Sequence, residues 1–159
     1  MRFVAFLIAL LAMLAAPLPA AAQDRETPYW ASISADRARM RTGPGTNFPT
    51  SWLYRRSGLP VRVVEVYRNW RKVEDPDGTQ GWMIVNLLSA DRTAMIEGDI
   101  RPMRASPEAG SRIRYRAEPG VVGRIRNCRR GWCEFDVRGR VGYVEAAHLY
   151  GVAEDERIE

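Results

Sequence analysis

The sequence predicts an all-β protein made of two small barrels in tandem, preceded by an N-terminal signal peptide. Three observations predict this fold class. The chain contains an internal repeat, and each copy shows short strand patterns separated by tight turns. Beyond the first 22 residues no segment sustains a helical period for ten residues, apart from single turns at VNLLS and EAAHLY. Short strands in units this small favour a compact barrel.

The N-terminus has the layout of a secretory signal peptide, residues 1–22. Arg2 precedes an uncharged apolar run from Phe3 to Ala16, Pro17 and Pro19 break any helix, and small residues end at Ala22. The alternative is an uncleaved anchor, but about 14 apolar residues fall short of the roughly 20 that span a bilayer. We therefore expect an exported, periplasmic protein with no stable membrane insertion after cleavage.

The repeat divides the rest of the chain. We expect a leader at 23–34, units at 35–97 and 98–152, and an acidic, disordered tail at 153–159. Within the connection between the units, Arg92–Ile96 fits the closing strand of the first unit. The spacing between equivalent residues shortens by one at successive turns, as loop-length variation between copies produces. The equivalent pairs include Asp36 and Asp99, Met40 and Met103, Pro44 and Pro107, Trp70 and Trp132, Gly81 and Gly142, and Leu88 and Leu149.

Each unit contains three short strand patterns. In the first unit they are PVRVVEVY (60–67), WRKVED (70–75) and QGWMIV (80–85), with a tight turn at PDG. The second unit repeats them as GVVGRIRNC, WCEFDV and VGYVEA, with a turn at Arg138-Gly139.

Several motifs of the first unit carry a family resemblance. They are Arg-x-Arg-x-Gly-Pro-Gly at 39–45, the strand after Gly58-Leu59-Pro60, Trp70, Asp-Gly-x-x-Gly-Trp at 77–82 and the closing Leu87-Leu88. In these motifs the unit resembles the bacterial SH3 family, the SH3b-type modules of bacterial cell envelopes. The resemblance implies an SH3-like barrel that binds cell-wall peptide or envelope proteins. The second unit matches more loosely, with RASPEAG in place of the Gly-Pro-Gly segment and Tyr143 in place of Trp82, so a shared ligand does not follow.

Cys128 and Cys133 are the only cysteines of the chain. A closed zinc site needs four ligands, and a redox centre favours Cys-x-x-Cys at a helix N-terminus. A catalytic thiol needs a positioned base, but the single histidine, His148, aligns with Leu87 at a turn. Export favours disulfides, and the two cysteines flank a four-residue loop between predicted strands. We therefore predict a structural disulfide, and no metal, cofactor or catalytic site.

Aromatic residues and arginines supply the candidate binding residues. Trp70, Trp132, Trp82 and Tyr143 occupy equivalent positions, so packing in or against the core is expected. Aromatics with weak or no counterpart in the second unit are better candidates for an exposed platform, and nearby arginines suit the carboxylates of wall peptides. The candidate ligand-binding residues are Phe48, Trp52, Tyr54, Arg55, Arg56 and Tyr67.

The net charge of +5 rests almost wholly on arginine, since Lys72 is the only lysine. Arginine suits anionic envelope polymers, although it is also an ordinary cation of solvated surfaces. Nucleic acid, the usual partner of a basic chain, is disfavoured by export. We expect a non-catalytic envelope protein that binds cell-wall peptide or an envelope protein. The alternatives are a modulator that binds only proteins, such as a cell-wall hydrolase, and a hydrolase itself, for which no triad or catalytic domain is found outside the repeats.

Overall fold

The computed structural model describes residues 25–159, which form two antiparallel seven-stranded sheets, one for each repeat. The predicted signal peptide, residues 1–22, lies outside the described residues. The predicted fold class, two tandem SH3-like all-β units, is confirmed. No helix within residues 25–159 is long and apolar enough to cross a membrane.

The two sheets share one topology. The first sheet comprises β1 (Tyr29–Ile33), β2 (Ala38–Arg41), β3 (Thr50–Tyr54), β4 (Pro60–Tyr67), β5 (Trp70–Glu74), β6 (Gln80–Ile84) and β7 (Leu88–Ser89), with a 3-10 turn at Val85–Leu87. The second comprises β8 (Thr93–Ile96), β9 (Arg101–Arg104), β10 (Ile113–Ala117), β11 (Val122–Arg129), β12 (Trp132–Val137), β13 (Arg140–Glu145) and β14 (Leu149–Tyr150), with a 3-10 turn at Ala146–His148. The strand order is β3-β2-β6-β5-β4-β1-β7 in the first sheet and β10-β9-β13-β12-β11-β8-β14 in the second.

Each sheet starts earlier in the chain than the repeat pattern suggests. Strand β1 lies within the segment predicted to be a leader, and it pairs with β4 and β7. The interpretation of Arg92–Ile96 as the closing strand of the first unit was wrong, because β8 pairs with β11 and β14 of the second. The reason is burial: β8 places Ala94 and Ile96 in the second core, just as β1 places Ala31 and Ile33 in the first.

Each sheet encloses its own hydrophobic core, and a methionine lies at the same place in both. Met40 and Met103 are almost fully buried. A Cβ on Gly81 would overlap the side chain of Met40, and one on Gly142 would lie 2.8 Å from Cβ of Met103. The repeated glycines therefore let the neighbouring strand pass directly over each methionine.

The predicted disulfide between Cys128 and Cys133 forms, with the two Cα atoms 4.1 Å apart. Arg130 and Gly131 both have positive φ, which gives the two-residue hairpin turn. The register shifts between Arg126 and Arg129, and Asn127 has a φ of 48°. This bulge turns Cys128 inward to meet Cys133, and both cysteines are buried.

The tail was predicted to be disordered, and this prediction was wrong. The Ile158 backbone N–H donates to the Cys128 carbonyl at 3.0 Å, and the Ile158 side chain packs against the second core. The Glu156 carboxylate accepts two hydrogen bonds from the Arg92 guanidinium and one from the Ala153 N–H. Acidic composition predicts a solvated tail, but Arg92, directly before β8, and the buried hairpin at Cys128 hold the tail in place.

The two units pack directly against each other. The rings of Trp30 and Tyr150 meet edge to face with centroids 4.9 Å apart, and the Tyr150 hydroxyl donates to the Glu74 carbonyl at 3.0 Å. Burial and the charge of Glu74 raise the pKa of the Tyr150 phenol, so it stays a donor at neutral pH. Met95 and Val122, from the second sheet, pack against the first core.

Removal of the disulfide should destabilise the second unit. We expect Cys128→Ala with Cys133→Ala to lower the free energy of unfolding by about 2 kcal/mol, because a short loop is no longer closed in the unfolded chain. Urea unfolding with and without reductant measures this. Reductant should lower the midpoint of the natural chain and leave the double variant unchanged. Equal midpoints for the natural chain in both conditions would contradict the assignment.

Tail docking should depend on pH. Burial acts to raise the pKa of Glu156, but the hydrogen bonds from Arg92 and Ala153 and the charge of Arg92 outweigh it, so the pKa is lowered. The stabilisation is therefore complete above the ordinary value of 4.5 and is lost as the pH falls through the lowered one. Protection of the Ile158 amide against hydrogen exchange should follow this course. In Glu156→Gln it should be weaker at pH 7 and show no such step, and identical profiles for the two proteins would refute the ion pair's role.

Candidate functional site

A cleft of about 330 Å³ lies on the outer face of the first sheet. Strand pairing builds it, since Arg39 lies opposite Leu53 on β3 and Trp70 lies opposite Ile84 on β6. The lining residues are Arg37, Arg39, Arg41, Thr46, Leu53, Trp70, Ile84 and Leu87.

Alternation along β2 places a row of cations on this face. Ala38 and Met40 are fully buried in the core, so the arginines on either side of them point outward. Two residues of strand advance the chain by about 6.7 Å, and the row from Arg37 to Arg41 is about 13 Å long. In an extended peptide ligand, side chains at alternate residues are separated by the same distance of about 6.7 Å.

The cleft combines positive charge with an apolar floor. None of its lining residues is acidic. Within residues 25–159, the guanidinium groups of Arg37 and Arg39 have no hydrogen bond or ion pair, and Arg41 donates from Nη1 to the Phe48 carbonyl at 2.6 Å. Leu53, Trp70, Ile84 and Leu87 supply the floor. Guanidinium groups without a counter-ion, next to apolar surface, suit a ligand that carries both carboxylates and aliphatic groups.

Of the predicted binding residues, three lie around the strand pair β2–β3. Phe48 is partly exposed and its ring lies against Gly43 in the loop between the strands. Trp52 is 57% exposed and lies opposite Met40, so it projects from the face of β3 opposite to that of Leu53.

Tyr54 is 7% exposed, so it offers no platform. Its hydroxyl donates to Asp75 Oδ2 at 2.7 Å, and burial together with this bond raises the pKa of the phenol. Asp75 Oδ1 also accepts the backbone N–H groups of Asp77 and Thr79. Tyr54 therefore joins the core to the β5–β6 turn.

The other three predicted residues lie at opposite ends of the unit. Arg55 and Arg56 are exposed directly after β3, and Arg56 donates from Nη2 to the Gly120 carbonyl of the second unit at 2.6 Å. Tyr67 is exposed at the end of β4, where it pairs with Trp70 of the cleft, but it is not one of the lining residues. The structure thus distributes the six residues over separate places, and their contact with a ligand stays a prediction.

The arginine row was missed by the sequence reasoning, although a signal for it exists. The segment RARMR alternates cations with apolar residues, which is typical of a strand with one buried and one cationic face. The equivalence of Trp70 and Trp132 predicts packing in or against the core, and Trp70 is half-buried in the cleft floor. The sequence repeat indicates a weak or no counterpart for Trp52, but Tyr115 occupies its place opposite Met103 and is also exposed.

The equivalent face of the second unit has different chemistry. Trp132 and Arg104 match Trp70 and Arg41, but Glu145 lies opposite Trp132, where the first unit has Ile84. Glu145 Oε2 lies 3.7 Å from Nε2 of His148. The remaining replacements are Ile100 for Arg37, Pro102 for Arg39, Arg116 for Leu53 and His148 for Leu87. An anionic ligand that fits the first unit therefore meets a carboxylate and a broken arginine row in the second.

Comparisons with known proteins agree with the repeat. A family model described as bacterial SH3 domain matches residues 34–89 and 97–151. The chain is similar to two solved structures titled NlpC1 and NlpC2 from Trichomonas vaginalis. NlpC1 is 14% identical in sequence, and the match covers 86% of this chain and 50% of NlpC1. NlpC2 is 13% identical, and the match covers 80% of this chain and 49% of NlpC2. The TM-score is 0.34 for both. The chain thus spans about half the length of these structures. No curated protein matches it.

Proposed function

Since the chain belongs to the bacterial SH3 domain family, we propose that it is an exported, non-catalytic protein of the cell envelope whose first unit binds an extended anionic peptide. Two features support the compartment. The first 22 residues have the pattern of a signal peptide. The buried disulfide fits an oxidising location such as the periplasm.

The row of three arginines above an apolar floor is the observation that carries the proposed binding role. An extended peptide repeats every two residues, as the strand β2 does, so carboxylates at alternate positions can each meet one guanidinium. Aliphatic groups of such a ligand can pack against Leu53, Trp70 and Ile84, which lie beside the arginines on the same face of the sheet. Charge-assisted bonds then fix the register, and apolar contact adds affinity.

Cell-wall stem peptide is the ligand we favour, because it is short, linear and rich in carboxylates. The lining of the cleft contains no histidine, carboxylate or thiol, so it is suited to holding an anion rather than to activating a nucleophile. An acidic segment of an envelope protein, such as a cell-wall hydrolase, would meet the same groups. The two ligands are separated by whether the protein binds to isolated sacculi.

The equivalence of the two units provides matched controls. We expect residues 23–159 to co-sediment with isolated sacculi at low and at high salt. Arg39→Ala with Arg41→Ala should weaken binding about tenfold through the loss of two charge-assisted contacts. Trp70→Ala should weaken it several-fold through the loss of apolar contact. Trp132→Ala and Arg104→Ala, at the equivalent positions, should bind like the natural chain.

Three results would count against this proposal. If the variants of the second unit lose as much binding to sacculi as those of the first, the cleft of the first unit is not the binding site. Co-sedimentation that is lost at high salt would show that the arginines act only as a nonspecific positive charge. A chain that stays in the supernatant at both salt concentrations would exclude wall peptide and direct the search to a protein partner by cross-linking. Circular dichroism of each variant checks that its fold is intact.

A further inference from the structure

A second groove, of about 410 Å³, lies where the two units meet. Three valines and three arginines line it: Arg56 of the first unit, and Val121, Val122, Val137, Arg138 and Arg140 of the second. Its composition matches that of the cleft, because both combine an apolar floor with guanidinium groups and no carboxylate.

Turn geometry and packing fix the walls of this groove. Arg138 and Gly139 both have positive φ, so β12 turns tightly into β13 and carries Arg138 and Arg140 to one end of the sheet. Val122 packs against the first core. Arg56 Nη2, of the first unit, donates to the Gly120 carbonyl of the second unit at 2.6 Å. The groove is thus part of the packed contact between the units.

The arginines of the cleft lead toward this groove. Ala38 and Tyr54 form the last pair of the β2–β3 ladder, so Arg37, before β2, and Arg55, after β3, leave the ladder at the same end. Arg56 follows directly and lines the groove. Within residues 25–159, the guanidinium groups of Arg138 and Arg140 have no hydrogen bond or ion pair. Cations without counter-ions therefore extend from Arg41 on the first unit to Arg140 on the second.

We propose that the cleft and the groove form one track, which holds a single extended peptide with alternating acidic and aliphatic residues across both units. This inference rests on the proposed function, because it takes the cleft as the start of the track. The apolar floors favour a peptide over a bare polyanion, since valines and leucines give aliphatic side chains a surface that phosphates do not use.

The length of the ligand tests this inference. An extended hexapeptide is about 20 Å long and covers the row from Arg37 to Arg41, whereas a dodecapeptide of about 40 Å reaches beyond it. The probes are acetylated, amidated (Glu-Val)3 and (Glu-Val)6, titrated calorimetrically into residues 23–159. The longer peptide should bind at least about tenfold more tightly, because its second half binds at a high effective concentration.

The variant Arg138→Asn with Arg140→Gln should remove most of that gain and leave the affinity for (Glu-Val)3 unchanged. Asparagine tolerates the positive φ of residue 138, so the turn is preserved. Arg114→Gln with Arg116→Gln is the control, because these exposed arginines of β10 change the net charge equally and lie outside the groove. The control should bind both peptides like the natural chain.

Each remaining outcome has a definite meaning. The track is refuted if (Glu-Val)3 binds but (Glu-Val)6 binds no more than twofold more tightly. It is also refuted if the control variant loses as much affinity for (Glu-Val)6 as the groove variant does. In both cases the cleft remains the proposed binding site. If (Glu-Val)3 does not bind the natural chain, the proposed function fails and the track fails with it. If polyphosphate of matched charge binds as tightly as (Glu-Val)6, the ligand is a general polyanion and the assignment to a peptide is overturned.

Discussion

The alternation of side chains along residues 37–41 is the constraint on which both the core and the cleft depend. Ala38 and Met40 fill the interior while the arginines beside them form the outer row. Because Gly81 has no side chain, β6 can pass directly over Met40 and pack against β2. A register slip of one residue would carry the arginines into the core, where an unpaired charge is very costly. The packing of the core thus fixes the positions of the cations.

The two units keep the same topology and differ in how they are stabilised. A domain of about 60 residues buries only a marginal core, so each small addition matters. The second unit adds the disulfide and the docked tail, whereas the first has Val66 and Arg71 at the positions of the cysteines. The contact between the units adds to the first core, because Met95 and Val122 of the second sheet pack against it. Because these contacts stabilise the interior, the outer faces of the two units can carry different residues.

The features that local patterns could predict are those whose partners lie close in sequence. The repeat, the strands of the hairpins and the Cys128–Cys133 disulfide all belong to this class. Three features depend on contacts between distant segments, which no local pattern specifies: the partner of β8, the docking of Ile158 and the packing of the two units against each other. Exposure is equally hard to predict: Trp52 and Tyr54 share one face of β3, but only Tyr54 is covered, because its hydroxyl reaches Asp75. The RARMR alternation was visible, and it identifies the cleft only once the opposite face is known to be buried.

We propose that the first unit binds an anionic peptide at the face that carries Trp70, and that the equivalent face of the second unit does not bind it. Trp70 and Trp132 occupy that same place in the two units, so their indole N–H signals form an internal pair of reporters. The most direct measurement is a ¹⁵N–¹H NMR titration of residues 23–159 with acetylated, amidated (Glu-Val)3. We expect the Trp70 indole signal and the amides of Arg39 and Leu53 to shift while the Trp132 indole signal stays in place. Equal movement of both indoles, or movement of Trp132 alone, would contradict the account.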